Sequence, residues 1–188
     1  MIGILVGRFQ VPELTKGHIG LLEKILSKVS KLVIFIGDTK DGRIDTHDPL
    51  SFEIRRNMIY QELNSSLKFI DNKNKVLILR LVDVGDFKKW TQKLDWIIDH
   101  LIELGILNNS EEIIMFGSRD SFIFGYKENN GKRSIEEIKE IGENISGTKE
   151  REKIYNSIPL DCSEFRKGII WGIKKREDYE NKQFIKEK

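Results

Sequence analysis

Four short apolar runs without polar alternation, separated by segments of helical spacing, constrain this chain more than anything else in it. The runs are Ile2-Gly3-Ile4-Leu5-Val6, Leu32-Val33-Ile34-Phe35-Ile36, Val76 to Val82 and Ile113 to Phe116. A strand with one face in water alternates polar and apolar residues, so unbroken runs belong to strands covered on both faces, as in a parallel sheet. The segments between them place Ile19, Leu22, Leu26 and Val29, then Ile54, Met58, Ile59 and Leu63, then Trp90, Leu94, Ile97, Ile98 and Leu101 at helical intervals. Asp48-Pro49 fits the entrance of the second helix, because proline is favoured in a first turn. The expected fold is α/β, a doubly wound parallel sheet with right-handed crossovers, and such sheets bind ligands beyond the carboxyl ends of their strands. The loops at that edge begin near Gly7, Gly37, Asp83 and Gly117.

Ser134 to Ile141 is open between two readings. Ile135, Ile138 and Ile141 have helical spacing, while the place of the segment in the alternation calls for a strand. The later residues, with Ile154, Phe165, Ile169, Ile170 and Trp171 among many Lys, Arg and Glu, read as helices closing the domain, with a charged tail from Lys174. The division expected is a domain over 1–156 and a C-terminal helical extension over 157–188 packed on it.

With 188 residues, 39% of them hydrophobic and 33% charged, the chain suits one globular domain. Thirty-two Lys and Arg against 30 Asp and Glu leave a formal charge of +2, so there is no bulk drive toward nucleic acid or an anionic membrane. The single cysteine, Cys162, excludes a disulfide framework and a multi-cysteine zinc site. His47 and His100 have no second ligand at a metal spacing, so no protein metal ligand is expected. The N-terminus reads as a strand rather than a targeting segment, which fits a cytoplasmic protein.

The first loop, Gly7-Arg8-Phe9-Gln10-Val11-Pro12-Glu13-Leu14-Thr15-Lys16-Gly17-His18, gathers polar groups where the first helix starts. The free N–H groups and positive dipole end of a helix N-terminus favour a phosphate, and Arg8, Lys16 and His18 add donors able to neutralise a polyphosphate. Gly7 and Gly17 allow close backbone approach. The loop is neither GxGxxG nor GxxxxGK[ST], so it is not a dinucleotide fingerprint or a P-loop.

Gly7-Arg8-Phe9-Gln10 followed by Thr15-Lys16-Gly17-His18 resembles the [HT]xGH signature of the nucleotidyltransferase superfamily, and most closely the archaeal-type nicotinamide-mononucleotide (NMN) adenylyltransferases, in which GRxQ precedes HxGH. Ile145-Ser146-Gly147-Thr148 with Arg151 resembles the second signature of that superfamily, [IY]S[GS]TxxR. Asp48-Pro49-Leu50-Ser51 with Arg55 resembles its DP[FL][ST]xxxR helix, and Asp83 with Trp90 its DxxxxxxW. The sequence departs from the archaeal pattern in having Thr15 for the first histidine, as in the pantetheine-phosphate branch, and a loop two residues longer.

The resemblance implies transfer of AMP from ATP to NMN, giving NAD and pyrophosphate, on a Rossmann-like nucleotidyltransferase fold. It implies that His18 and Thr15 touch the α-phosphate and that Arg8 and Arg151 hold the β- and γ-phosphates, with Ser146 and Thr148 as further donors. Gly117, Ser118 and Arg119 would border the adenosine, and Asp83 and Trp90 the acceptor base, beside Phe9, Gln10 and Arg55. Mg²⁺ is expected with ATP, held largely by phosphate oxygens and water. A homo-oligomer is implied; nucleic-acid and membrane partners are not. Two of these roles have ordinary rivals: Trp90 shares a periodic face with Leu94 and Ile97 and so suits core packing, and Arg55 suits a solvated helix face. Other acceptors, nicotinate mononucleotide or phosphopantetheine, and a non-catalytic nucleotide sensor remain alternatives.

Overall fold

A computed structural model describes residues 1–11, 13–40, 48–69, 71–118 and 122–139. In chain order the elements are β1 (Ile2–Gly7), α1 (Lys16–Leu26), β2 (Lys31–Asp38), α2 (Phe52–Ser65), a single 3₁₀ turn (Lys73–Lys75), β3 (Val76–Val82), α3 (Phe87–Glu103), β4 (Ile113–Gly117), α4 (Ile123–Glu128) and β5 (Ser134–Glu137). The five strands form one sheet in the order β3-β2-β1-β4-β5, and every pairing is parallel, with Ile4 opposite Val33 on one side and Met115 on the other. The expected doubly wound sheet is the fold observed.

The uninterrupted apolar runs are the central strands. Ile2, Ile4, Leu5 and Val6 of β1 and Leu32 through Ile36 of β2 are all buried. At the edge, β3 is less evenly covered: Ile78 is buried on one face and Leu81 on the other, while Arg80 is exposed. One face of the sheet packs on α1 and α2 through Leu22, Ile25, Met58, Ile59 and Leu63. The other packs on α3 and α4 through Trp90, Leu94, Ile98 and Tyr126. Successive strands step from β1 to β2 to β3, and the chain then crosses back to place β4 on the opposite side of β1. The loops leaving β1 and β4 therefore diverge, which makes the carboxyl end of that strand pair the crevice of the sheet.

Three local readings are corrected or completed. The second helix does not begin at Pro49: Ser51 is its N-cap, with a hydroxyl accepting from Ile54 N–H, so the proline precedes the cap. Val29, expected on the first helix, lies beyond its end at Leu26 and is buried in the connection to β2. In the segment left open, 134–137 is a strand, because the free edge of β4 supplies a ladder, and Ile138 N–H donates to the Gly117 carbonyl at 2.8 Å. The extension over 157–188, Cys162 and the boundary at 156 lie outside the described residues, as does His47. Among the described residues no helix is long and apolar enough to cross a membrane.

Candidate active site

The first loop turns sharply as it leaves β1. Phe9 has φ of 51°, a left-handed conformation costly for a side chain with a Cβ, and this turn folds its ring back onto Gly7. A Cβ at Gly7 would stand 2.8 Å from Phe9 Cε2, so only glycine fits there. The buried Phe9 ring also lies 5.4 Å from the His18 ring, tying the start of the loop to its end. Between them Gln10 is buried, and its side-chain amide pairs with the backbone of Leu50 in both directions: Nε2 donates to the carbonyl at 3.1 Å and Oε1 accepts from the N–H at 2.9 Å. Gln10 thus clamps this loop to the segment that leads into α2.

Thr15 is the N-cap of α1, and with His18 it forms a reciprocal box. The Thr15 hydroxyl accepts from His18 N–H at 3.3 Å, while Thr15 N–H donates to His18 Nδ1 at 3.2 Å. The hydroxyl also lies 2.8 Å from Nδ1. In a capping box this third position is ordinarily Glu or Gln; here an imidazole nitrogen takes the acceptor role. An Nδ1 that accepts must carry no proton, so the ring proton sits on Nε2. Burial lowers the His18 pKa from 6.5 to about 4, which keeps the imidazole neutral at physiological pH. The expectation that His18 helps neutralise a polyphosphate by charge is therefore corrected: desolvation leaves it a fixed neutral N–H donor. Beside it, the first-turn N–H groups of Lys16 and Gly17 have no acceptor within the helix.

Arg8 projects from the end of β1 across Gly37, where a Cβ would stand 3.5 Å from its Cγ. Its Nη1 donates to both oxygens of Asp48, at 3.1 and 2.9 Å, and Nη2 lies 3.4 Å from Asp83 Oδ2. Asp83 is itself fixed by accepting from Gly85 N–H at 2.9 Å. The Arg8 side chain remains 43% exposed, so it can still take an anion. Arg55, expected to touch substrate, is placed differently. Its side chain is fully buried and makes four hydrogen bonds, from Nε to Ser51 O, from Nη1 to Arg8 O and Gly37 O, and from Nη2 to Asp38 Oδ1. It cross-links the ends of β1 and β2 from the start of α2, and the solvated-face alternative does not hold for it either. Arg80 holds the other oxygen of Asp38 at 2.6 Å.

Trp90 is 6% exposed and packs edge-on to Phe87 and obliquely on Phe122, 5.9 and 5.6 Å between centroids, which is the core-packing alternative. Gly117 ends β4 at the crevice, with Ser118 half-buried beside it. Arg119, Ile145, Ser146, Gly147, Thr148 and Arg151 lie outside the described residues. Sequence reasoning left Asp38 and Arg80 out of the site and read Asp48 only as part of a helix motif. Asp38 could have been found, since it follows Gly37 at the carboxyl end of β2. Arg80 could not, because nothing in an apolar edge strand marks which exposed residue turns toward the crevice. Among the described residues no three His, Cys, Asp or Glu side chains gather as a metal site.

The chain matches solved structures over all of its length. Two structures of a bifunctional NMN adenylyltransferase/ADP ribose pyrophosphatase from Francisella tularensis, one complexed with AMP and MN ion, align at TM-scores of 0.70 (with the ligands) and 0.71, with 23% and 22% identity. This is the Rossmann-like nucleotidyltransferase fold. The chain covers 56% of each Francisella chain, so it spans little more than half their length. A structure of NadR protein in complex with NAD and AMP-PNP matches 73% of this chain and 37% of its own at 16% identity and a TM-score of 0.50. No protein-family model and no curated protein matches the sequence. In the nucleotidyltransferase fold the crevice between β1 and β4 is where Arg8, Thr15, His18 and Gly117 converge by topology, from loops that separate at the switch point of the sheet.

Proposed function

We propose that the chain is an adenylyltransferase that moves AMP from ATP to NMN, producing NAD and pyrophosphate. The observation that carries the proposal is the Thr15–His18 box: a neutral Nε2–H donor fixed at a helix N-terminus, beside an arginine with open solvent access, in the crevice of a nucleotidyltransferase fold. A phosphate oxygen of the acceptor attacks the α-phosphorus of ATP; the bond from that phosphorus to the oxygen bridging it to the β-phosphorus breaks, and pyrophosphate leaves. Catalysis of this kind is positioning plus stabilisation of charge on the phosphoryl oxygens, and it requires no protein nucleophile.

In this reading His18 Nε2–H and the Lys16 and Gly17 amides hydrogen-bond the α-phosphate, and Thr15 fixes the imidazole that does so. Arg8 takes the β- and γ-phosphates together with Arg151, Ser146 and Thr148. Gly117, Ser118 and Arg119 border the adenosine, and Asp83 borders the acceptor. Asp38, Asp48 and Asp83 are each held by an arginine, and among the described residues no carboxylate cage for a divalent ion is formed. Mg²⁺ would be held through phosphate oxygens and water, and it would offset the charge of the triphosphate.

A second acceptor class is favoured by one feature, the threonine at position 15, which the pantetheine-phosphate branch shares. The deciding experiment is pyrophosphate release from ATP and Mg²⁺ with NMN, nicotinate mononucleotide and phosphopantetheine offered separately, with His18→Ala as control. Release that needs NMN and is lost in the variant supports the proposal. Release with another acceptor moves the substrate, and ATP binding without release from any acceptor leaves a nucleotide sensor.

A further inference from the structure

The solvent face of α3 carries a stripe that the proposed chemistry does not use. Lys89, Gln92, Trp96, His100 and Glu103 are all exposed along it. Trp96 is 64% exposed, and its ring lies nearly flat on His100, with centroids 5.4 Å apart and planes 8° from parallel. The His100 ring in turn meets Glu103, Nδ1 to Oε2, at 3.2 Å. A large aromatic surface already held in one orientation has less rotamer freedom to lose on being covered, as binding anchors do.

The stripe has two properties that specify its partner. Its successive spacings of three, four, four and three residues average one contact every three and a half, the seam of helices that cross at a shallow angle. The pattern also reads the same in both directions about Trp96. Lys89 lies seven residues before it and Glu103 seven after; Gln92 lies four before and His100 four after. Two copies of α3 packed antiparallel about an axis through Trp96 therefore set Lys89 against Glu103 at both ends, Gln92 against His100, and tryptophan against tryptophan. A parallel pair would set lysine on lysine and glutamate on glutamate. Within one copy these charges also oppose the helix dipole, with lysine at the amino end and glutamate at the carboxyl end. An antiparallel second copy brings the opposite charge to each end and relieves both.

We propose that this face of α3 is a homodimer interface, in which two copies of the chain pair antiparallel about a two-fold axis at Trp96. A single helix pair lies below the standard interface of about 1,600 Å², so a weak dimer whose population rises with concentration is expected. Sedimentation velocity of the full chain from about 1 µM to about 1 mM reads it directly. Lys89→Glu and Glu103→Lys should each raise Kd by about tenfold or more, because each makes like-charge contacts at both ends. The double variant Lys89→Glu/Glu103→Lys should return to within about threefold of the original, since the swap restores both pairs. Trp96→Glu should be monomeric throughout. All these positions face solvent, so far-ultraviolet circular dichroism should be unchanged. A chain that stays monomeric at every concentration, as it would if residues 140–188 of the same chain or another protein covered the stripe, overturns the proposal. So does a dimer whose Kd ignores these substitutions.

Discussion

His18 does two jobs that substitution can pull apart. Through Nδ1 it accepts from Thr15 N–H and completes the cap of α1, and through Nε2–H it is proposed to stabilise the α-phosphate. Replacing it by alanine removes both. The cap loses one side-chain acceptor, a loss of about 1 kcal/mol in stability. Removing one donor to the transition state costs about 3 kcal/mol, which is roughly a hundredfold in kcat. Glutamate at the same position separates the two, because Thr-x-x-Glu is itself a capping box and a carboxylate suits a helix N-terminus. His18→Glu keeps the cap acceptor but meets the desolvation that lowers the His18 pKa, so its urea midpoint should stay close to that of His18→Ala, while its kcat falls by more, since it puts negative charge where phosphate must sit. Pyrophosphate release measures kcat, and calorimetric titration of ATP gives the affinity. A His18→Glu protein within about threefold of the original kcat would refute the donor role, as would a His18→Ala protein whose affinity falls as far as its turnover.

Other consequences follow from the same geometry. Lowering pH from 6.5 to 4 should destabilise the folded chain, because unfolding lets the His18 imidazole take a proton it refuses when buried. The fall in its pKa to about 4 corresponds to about 3 kcal/mol at most, trimmed to about 2 by its partial exposure, and His18→Ala should lack that part of the slope in urea midpoint against pH. Arg55→Met should cost about 3 kcal/mol, since it removes four hydrogen bonds at the sheet edge and leaves Asp38 with Arg80 as its one remaining arginine, and an unchanged midpoint would contradict the bracing role. Tyr126→Phe should cost about 1 to 3 kcal/mol in the same assay: its hydroxyl donates to buried Asp95 and accepts from Arg133 N–H at 3.0 Å, joining α3 to the turn before β5. Gly131→Ala should be at least as damaging, because a Cβ there would stand 2.2 Å from the Tyr126 ring; retention of the original melting temperature would show that the ring has room to move.

The sheet was legible in the chain because its central strands bury both faces, and a run such as Leu32 to Ile36 has no other simple use in a chain of this composition. The six-residue helix α4 was not, since Ile123 and Tyr126 are a single turn of periodicity, and β5 was undecided because four residues with one β-branched side chain carry no signal until β4 offers them an edge. In the site, what sequence conveyed was residue type and order: an arginine, a threonine and a histidine around a strand-to-helix loop. What it could not convey was the protonation of His18, which depends on a backbone donor three residues back and on burial, or the fate of Arg55, which depends on three chain segments meeting. A guanidinium and a carboxylate seventeen residues apart look alike in sequence whether they pair in water or are sealed at a strand end. Arg55 and Arg8 are both arginines near one crevice, yet one is wholly consumed in holding the backbone that carries the other, for it is the Arg8 carbonyl that Arg55 binds at 2.8 Å. The division of labour is thus between a buried cation that fixes the edge and a half-exposed one, steadied by Asp48 and Asp83, that is left to meet an anion. That difference in burial, not the identity of either residue, is why the proposed function assigns phosphate to Arg8 and not to Arg55.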